Sequence, residues 1–184
     1  MNARRIPKNI IDKAKKIKLI AMDVDGVLTG GEIIFYESGN KIKETKIWSV
    51  RDRMGFSLLR SARSDLKLAW ITGRYCKHVA DQAKELRIEA FVQDCMDKAT
   101  AMKAIMKKFS LKPEQILYIG DDLVDVPVLK MAGLAVAPND AIDEVLNVAG
   151  YVTNKAGGKG VFREVVELVL KARGLWNKAA SKYS

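Results

Sequence analysis

Short apolar runs rich in β-branched residues alternate along this chain with segments of helical period, and few folds accommodate that alternation. The candidate strands are Lys18–Met22, Leu66–Ile71, Ala90–Val92, Ile116–Ile119 and Leu134–Val136. The candidate helices lie at about Asp52–Ala62, Tyr75–Leu86, Lys98–Phe109, Val124–Met131, Ala141–Asn147 and Val161–Ala172. Strand-length runs joined by helix-length segments are the signature of βα units, so the expected class is α/β, a Rossmann-like three-layer parallel sheet. The 184 residues suffice for one domain with a sizeable core, read as 1–184. One stretch breaks the alternation. "GEIIFYESGNKIKETKIWSV" has two extended runs about the turn-forming ESGN and predicts a β-hairpin at about residues 30–48, inserted after the first strand. A lone ribbon is marginal in water, and this one would expose Ile33, Phe35 and Trp48, so a partner subunit or a fold back over the sheet is expected to cover it.

Composition narrows the setting. No apolar run reaches the roughly 18 residues of a membrane span, and the start, "MNARRIPKNIIDKAKKIK", lacks the apolar stretch of a secretory signal, so a cytoplasmic protein is expected. Cys76 and Cys95 form no CxxC pair and suggest neither a disulfide framework nor a zinc site. The formal charge of +10 admits a nucleic-acid partner, a membrane surface or an anionic small substrate. Much of it sits at the ends: Arg4, Arg5, Lys8, Lys13, Lys15, Lys16 and Lys18 over residues 4–18, all but the last in a basic extension over about residues 1–17, and Lys171, Arg173, Lys178 and Lys182 in the last helix. No aromatic stacking pattern is interleaved with these charges, so solvated helix faces are the preferred reading over a polynucleotide site.

In open parallel sheets ligands bind beyond the carboxyl ends of the strands. Four polar stretches fall there: Asp23 and Asp25 in "DVDG", Thr72, Gly73 and Arg74 in "TGR", Lys98 at the start of a helix, and Asp121, Asp122 and Asp125 in "GDDLVD". Each alone is weak. Together, on one rim, the acidic residues make an oxygen-rich pocket suited to a hard divalent cation such as Mg²⁺, and the Thr72 hydroxyl and Lys98 ammonium supply donors for a phosphate.

In order and placement these motifs resemble the haloacid dehalogenase superfamily of phosphotransferases, whose signatures are DxD, a Ser or Thr after the second strand, a Lys, and a late GDD or GDxxxD. The resemblance implies that Asp23 attacks phosphorus and forms an aspartyl-phosphate, and that Asp25 protonates the leaving alcohol and later activates water. It further implies that Thr72 and Lys98 hold phosphoryl oxygens, and that Asp121 completes a Mg²⁺ site with the Asp23 carboxylate and the Asp25 backbone carbonyl. The chemistry is coherent: a carboxylate and a phosphate dianion repel, so cations must neutralise the approach, and a covalent intermediate splits one hard displacement into two easier ones. Gly26 suits a sharp turn that brings backbone N–H groups toward phosphate. Asp122 and Asp125 are expected to orient Lys98 or metal-bound water rather than to bind metal themselves.

Only a hairpin and one helix fit between the DxD motif and Thr72, and only a helix and a short strand between Thr72 and Lys98, so no large cap domain is expected. The layout is similar to the capless tetrameric branch of the superfamily, which acts on 3-deoxy-D-manno-octulosonate 8-phosphate and related 2-keto-3-deoxy-nonulosonate phosphates. That resemblance implies a homotetramer whose hairpins form a central barrel and whose neighbouring subunit helps close the site. It also implies substrate contacts from Ser49, Val50, Arg51, Asp52, Arg53 and Arg74. Arg51 and Arg74 could clamp a carboxylate or phosphate, whereas Arg51 or Asp52 could instead cap the helix that begins there. The chain departs from the resemblance at Ser49, Arg53, Ser57 and Gln82, which leaves ester hydrolysis intact and the sugar acid open. Gly157, Gly158 and Gly160 could present N–H groups to an anion or form a plain loop. His78, the one histidine, is not needed for acid/base work. A related nonulosonate 9-phosphate or another small phosphate ester is the alternative substrate, and a non-catalytic anion- or nucleic-acid-binding protein the alternative of another class.

Overall fold

The computed structural model describes residues 6–183, so Arg4 and Arg5 of the basic extension lie outside the described residues. The main sheet comprises β1 (Leu19–Met22), β4 (Lys67–Ile71), β5 (Ala90–Val92), β6 (Ile116–Ile119), β7 (Leu134–Ala137) and β8 (Tyr151–Val152), in the spatial order β5-β4-β1-β6-β7-β8. Every pairing in it is parallel. The chain leaves β1 toward β4 and β5, then crosses to β6 on the other side, so the order reverses at β1. Ligand crevices form at such a reversal.

The strands read as continuous apolar runs because helices cover both faces of the sheet. Ile20, Met22, Leu68, Trp70, Leu117, Ile119, Leu134 and Val136 point into one core with α1 (Lys8–Lys16), α2 (Val50–Ser61), α3 (Lys77–Glu85) and α7 (Val161–Ala172). Leu19, Ala21, Ala69, Ile71, Ile116, Tyr118, Ala135 and Ala137 point into the other with α4 (Lys98–Phe109), α5 (Val126–Met131) and α6 (Asp143–Leu146). Each fully buried Leu or Ile contributes about 1.5–3 kcal/mol relative to exposure, so this two-sided burial dominates the stability.

All five predicted strands and all six predicted helices are present; Ala90–Val92, Ile116–Ile119, Lys98–Phe109 and Val161–Ala172 match at both ends and the others have shifted ends. The helix after Thr72 begins at Lys77 rather than Tyr75, because Cys76 is still extended. The helix predicted from Val124 begins at Val126, since Leu123–Asp125 form a 3₁₀ turn that the Asp125 carboxylate folds back upon. The sequence reading omitted β8, α8 (Trp176–Ala180) and α1. In α1, Ile10 and Ala14 are buried while Lys13, Lys15 and Lys16 face solvent. No helix among the described residues is long and apolar enough to cross a membrane.

The predicted hairpin is β2 (Ile34–Ser38) and β3 (Lys41–Thr45), antiparallel and separate from the main sheet. Gly39, at φ +60°, makes its turn. Phe35, Tyr36, Ile42 and Ile47 are exposed, as is Ile33. Trp48 is not left in solvent: it stacks on buried Trp70 at 5.7 Å and meets His78 edge-on. The Lys46 N–H reaches His78 Nδ1 at 3.2 Å and the Thr45 hydroxyl lies 2.8 Å from the same nitrogen, tying the hairpin base to α3.

Candidate active site

Asp23 and Asp25 follow the central strand, and the loop that carries them is held by the backbone. Val27, Leu28 and Thr29 all donate to the Val24 carbonyl. Gly26 has φ +81°, and a Cβ there would lie 1.9 Å from Asp121 Oδ2, so this turn closes against the β6 loop only as glycine. Gly157 packs from the other side, where a Cβ would meet the Gly26 carbonyl at 2.2 Å. The Gly157 N–H donates to Asp140 Oδ1 and the Gly158 N–H to the Val27 carbonyl, so these glycines buttress the aspartate loop and their N–H groups are not free for an anion.

Lys98 opens α4, whose N-terminus is capped by Asp97 accepting from the Thr100 N–H at 3.0 Å. Its ammonium is buried between Asp23 Oδ2 and Asp125 Oδ1, 2.8 Å from each. Asp125, fully buried, also accepts from the Tyr118 hydroxyl at 2.6 Å and from the N–H groups of Asp121 and Asp122. It therefore orients Lys98 and fixes the β6 loop. Asp122 is exposed and accepts from the Leu123 N–H at the start of the 3₁₀ turn. Thr72, after β4, is buried at the floor.

Asp23, Asp25, Thr72, Gly73, Arg74, Lys98 and Asp121 together line one open cleft of about 360 Å³ beyond the carboxyl ends of β1, β4 and β6. Burial pushes the Asp23 carboxyl up to about 7, against the opposing pull of Lys98. Burial, reinforced by the carboxylates of Asp23 and Asp125, pushes Asp121 up to about 8. Carboxyl oxygens of Asp23, Asp121 and Asp125 lie within 4.8 Å of one another, and buried Asp121 Oδ1 has no hydrogen-bond partner. Three carboxyl groups this close repel one another, and an oxygen cluster with one unpartnered atom suits a hard divalent cation. Asp125 is committed to Lys98, Tyr118 and two N–H groups, whereas Asp23 accepts from Lys98 and the Val24 N–H alone and Asp121 Oδ1 from no group, so Asp23 and Asp121 are the carboxylates that could hold one.

Ser49–Arg53 do not line this cleft; Ser49 precedes α2 and Val50–Arg53 form its first turn. Asp52 is buried and caps α7, not α2, accepting from the Arg163 N–H at 2.9 Å, and burial pushes its carboxyl up to about 6 despite that bond. Val50 and Arg51 are exposed, Arg51 on a groove with Lys155, Lys159 and Arg163. Arg53 donates to Gln82 Oε1 at 2.7 Å and pairs with Glu85, and the Ser57 hydroxyl lies on the Arg53 carbonyl. Three of the four positions at which the chain departs from the resembled branch thus contact one another, and none of the three lines the cleft.

The residue the sequence reading missed is Lys46. Its side chain is fully buried, with Nζ 2.9 Å from Asp25 Oδ1 and 3.2 Å from Glu44 Oε1. Burial disfavours its ammonium, but the bonds to these two carboxylates hold its pKa above the ordinary lysine value. The remaining Asp25 contact is the Thr29 hydroxyl, which donates to Oδ1 at 3.1 Å.

This arrangement, with paired aspartates on the central strand facing a buried lysine, is that of a haloacid dehalogenase-like hydrolase. The profile of that family matches residues 71–165, and the chain belongs to it. It is 40% identical over 174 residues to "3-deoxy-D-manno-octulosonate 8-phosphate phosphatase KdsC" of Escherichia coli K12, covering 95% of this chain and 90% of that protein. The crystal structure of the 3-deoxy-D-manno-octulosonate 8-phosphate phosphatase of Moraxella catarrhalis, in complex with magnesium, phosphate and KDO, superposes with a TM-score of 0.90 at 39% identity, covering 97% of this chain and all of that one. A cobalt-bound deoxy-D-mannose-octulosonate 8-phosphate phosphatase of Haemophilus influenzae gives 0.79 at 36% identity over 88% of this chain and 92% of that one. These relatives place the chain among the family's phosphatases.

Proposed function

We propose that this chain is a Mg²⁺-dependent phosphomonoesterase that hydrolyses 3-deoxy-D-manno-octulosonate 8-phosphate through an aspartyl-phosphate on Asp23. The observation that carries this is the buried ion pair of Asp23 with Lys98 beside an unpartnered Asp121 oxygen, in a cleft open to solvent. An Asp23 carboxylate oxygen attacks phosphorus while the P–O bond to the sugar breaks, and Asp25 gives a proton to the departing oxygen. In the second half-reaction Asp25 takes a proton from water as it attacks phosphorus, and the Asp23–phosphorus bond breaks to release phosphate. Lys98 and Thr72 hold the phosphoryl oxygens. Asp23, Asp121 and the Asp25 carbonyl would hold Mg²⁺, which supplies charge neutralisation on those oxygens when bound. The relative of Moraxella catarrhalis, whose structure contains magnesium, phosphate and KDO, supports the assignment.

The test is phosphate release from a panel of esters: octulosonate 8-phosphate, a nonulosonate 9-phosphate, hexose phosphates and glycerol phosphate, each with Mg²⁺ and with chelator. The octulosonate ester is expected to give the highest kcat/KM, and chelator to abolish turnover. A nonulosonate ester turned over faster would move the assignment to that substrate, and Mg²⁺-independent turnover would refute the metal-dependent reading.

The exposed Phe35, Tyr36, Ile42 and Ile47 support a homotetramer built on the hairpins, since so much apolar surface on an isolated two-stranded ribbon is costly in water. Light scattering at micromolar concentration is expected to read four chains, and Phe35→Lys with Ile42→Lys to lower that mass. A wild-type monomer would refute the assembly.

A further inference from the structure

Lys46 has no part in the phosphoryl transfer described above, yet it is the one side chain of the hairpin region that is wholly withdrawn from solvent. The residues around it explain how it gets there. A backbone N–H can only donate, so His78 Nδ1 must accept from the Lys46 N–H, and the Thr45 hydroxyl beside the same nitrogen donates as well. That two-point anchor on α3 fixes the end of β3 and drives the Lys46 side chain inward, toward the aspartate loop. There Nζ reaches both oxygens of Asp25, at 2.9 and 3.0 Å, and Glu44 at 3.2 Å. Glu44 Oε2 in turn accepts from Arg74 Nη2 at 3.0 Å, and Arg74 lines the cleft. Asp25, Lys46, Glu44 and Arg74 form an alternating chain of two negative and two positive groups, so the buried ammonium is compensated.

The consequence falls on Asp25. An aspartate carboxyl turns broadly about its last torsion, so a bare Asp25 would sample many orientations. Here Lys46 spans both oxygens and the Thr29 hydroxyl holds Oδ1 as well, which leaves one orientation. We propose that Lys46 is the positioning residue of the general acid/base: the hairpin delivers its ammonium to hold the Asp25 carboxyl in the one orientation that serves proton removal from water by the carboxylate and, once Asp25 has gained a proton in the substrate complex, proton donation to the leaving oxygen. The proposal rests on the phosphatase reading above. It assigns the hairpin a role in the chemistry besides any in assembly.

A merely structural lysine and a positioning lysine give different kinetic signatures. Lys46→Met keeps the aliphatic stem and removes the ammonium. With 4-nitrophenyl phosphate the leaving group needs no proton, so the first half-reaction bypasses Asp25 while the second still requires it. Rapid-quench kinetics should then show a nitrophenol burst of nearly wild-type rate constant followed by steady-state turnover slowed about 10²-fold, whereas with an alkyl phosphate the first step itself should slow about 10²-fold, with KM little changed. If Lys46→Met does not fold, Lys46→Gln, which keeps donors but not the charge, is read by the same two substrates and should show the same asymmetry. Uniform slowing of burst and turnover on both substrates, or no slowing, overturns the proposal. An Asp23→Asn control separates the two levels: retained turnover in that control, or an inactive wild type, overturns the phosphatase mechanism and this proposal with it. An active wild type with a dead control and a uniformly slowed Lys46 variant overturns this proposal alone.

Discussion

Asp23→Asn is expected to abolish phosphate release from every ester, by about 10⁴-fold or more, while leaving the fold intact. The amide has nearly the shape of the carboxylate and retains an oxygen for the Val24 N–H, which lies on Asp23 Oδ1 at 2.6 Å, but it offers no anionic nucleophile. Stability should move in a direction that loss of activity alone does not dictate. Burial raises the Asp23 carboxyl from 3.8 to about 7 in the folded chain. A raised carboxyl means that the folded state holds its proton more tightly than the unfolded state, so this group's contribution to stability is greatest below pH 4 and is lost as pH rises through 7. Asn has no such slope. In chelator, the melting temperature of the variant should therefore fall less between pH 4 and pH 7.5 than that of the wild type. Adding Mg²⁺ should raise the wild-type melting temperature more than that of the variant, because the variant has lost one of two carboxylates assigned to the metal. Full turnover by Asp23→Asn would refute the covalent mechanism, and an unchanged pH slope would refute the account of Asp23 as a desolvated carboxylate.

What the sequence made legible follows from where strand-end residues must go. Once the apolar runs are taken as parallel strands, Asp23, Asp25, Thr72, Lys98 and Asp121 are confined to one rim, and the structure places all five around one cleft. The fold class was readable for the same reason: a strand covered on both faces leaves a continuous apolar signature that a half-exposed one does not. Lys46 carried no such signal. In "NKIKETKIW" it reads as one more lysine beside Lys41 and Lys43, which do face solvent; it stands three residues after Lys43, just past the end of β3, where strand period no longer assigns a face, and the anchor on His78, contributed by another element, turns it inward. Asp52 misled for a related reason. It stands where a cap of α2 would, but its partner is the Arg163 N–H, 111 residues on, and proximity in sequence says nothing about such a bond. The two residues of β8 are too few to show any period, and in α1 the buried Ile10 and Ala14 were outweighed on the page by the surrounding lysines.

Lys98→Met tests whether the site is held together by charge pairing or by packing. The Lys98 ammonium is the shared partner of Asp23 and Asp125 at 2.8 Å each, and all three groups are withdrawn from solvent. Met fills a similar volume, so the main loss is the cation. Breaking a buried pair from one side leaves uncompensated charge, and at pH 8 in chelator the variant should be destabilised by about 3–5 kcal/mol. The penalty belongs to the ionised carboxylates. Asp23 already holds its proton up to about 7, and without the lysine it should hold it higher still, so the deficit should shrink as pH falls from 8 to 5. Lys98→Met combined with Asp125→Asn should recover part of the lost stability at pH 8, giving a coupling between the two sites in a double-mutant cycle. Neither protein should hydrolyse phosphate esters, because the donor that holds the phosphoryl oxygens is gone. A deficit of equal size at pH 5 and pH 8, with additive effects in the double variant, would mean that the methionine simply packs badly. The buried triad would then not be what sets Asp23 in place for attack.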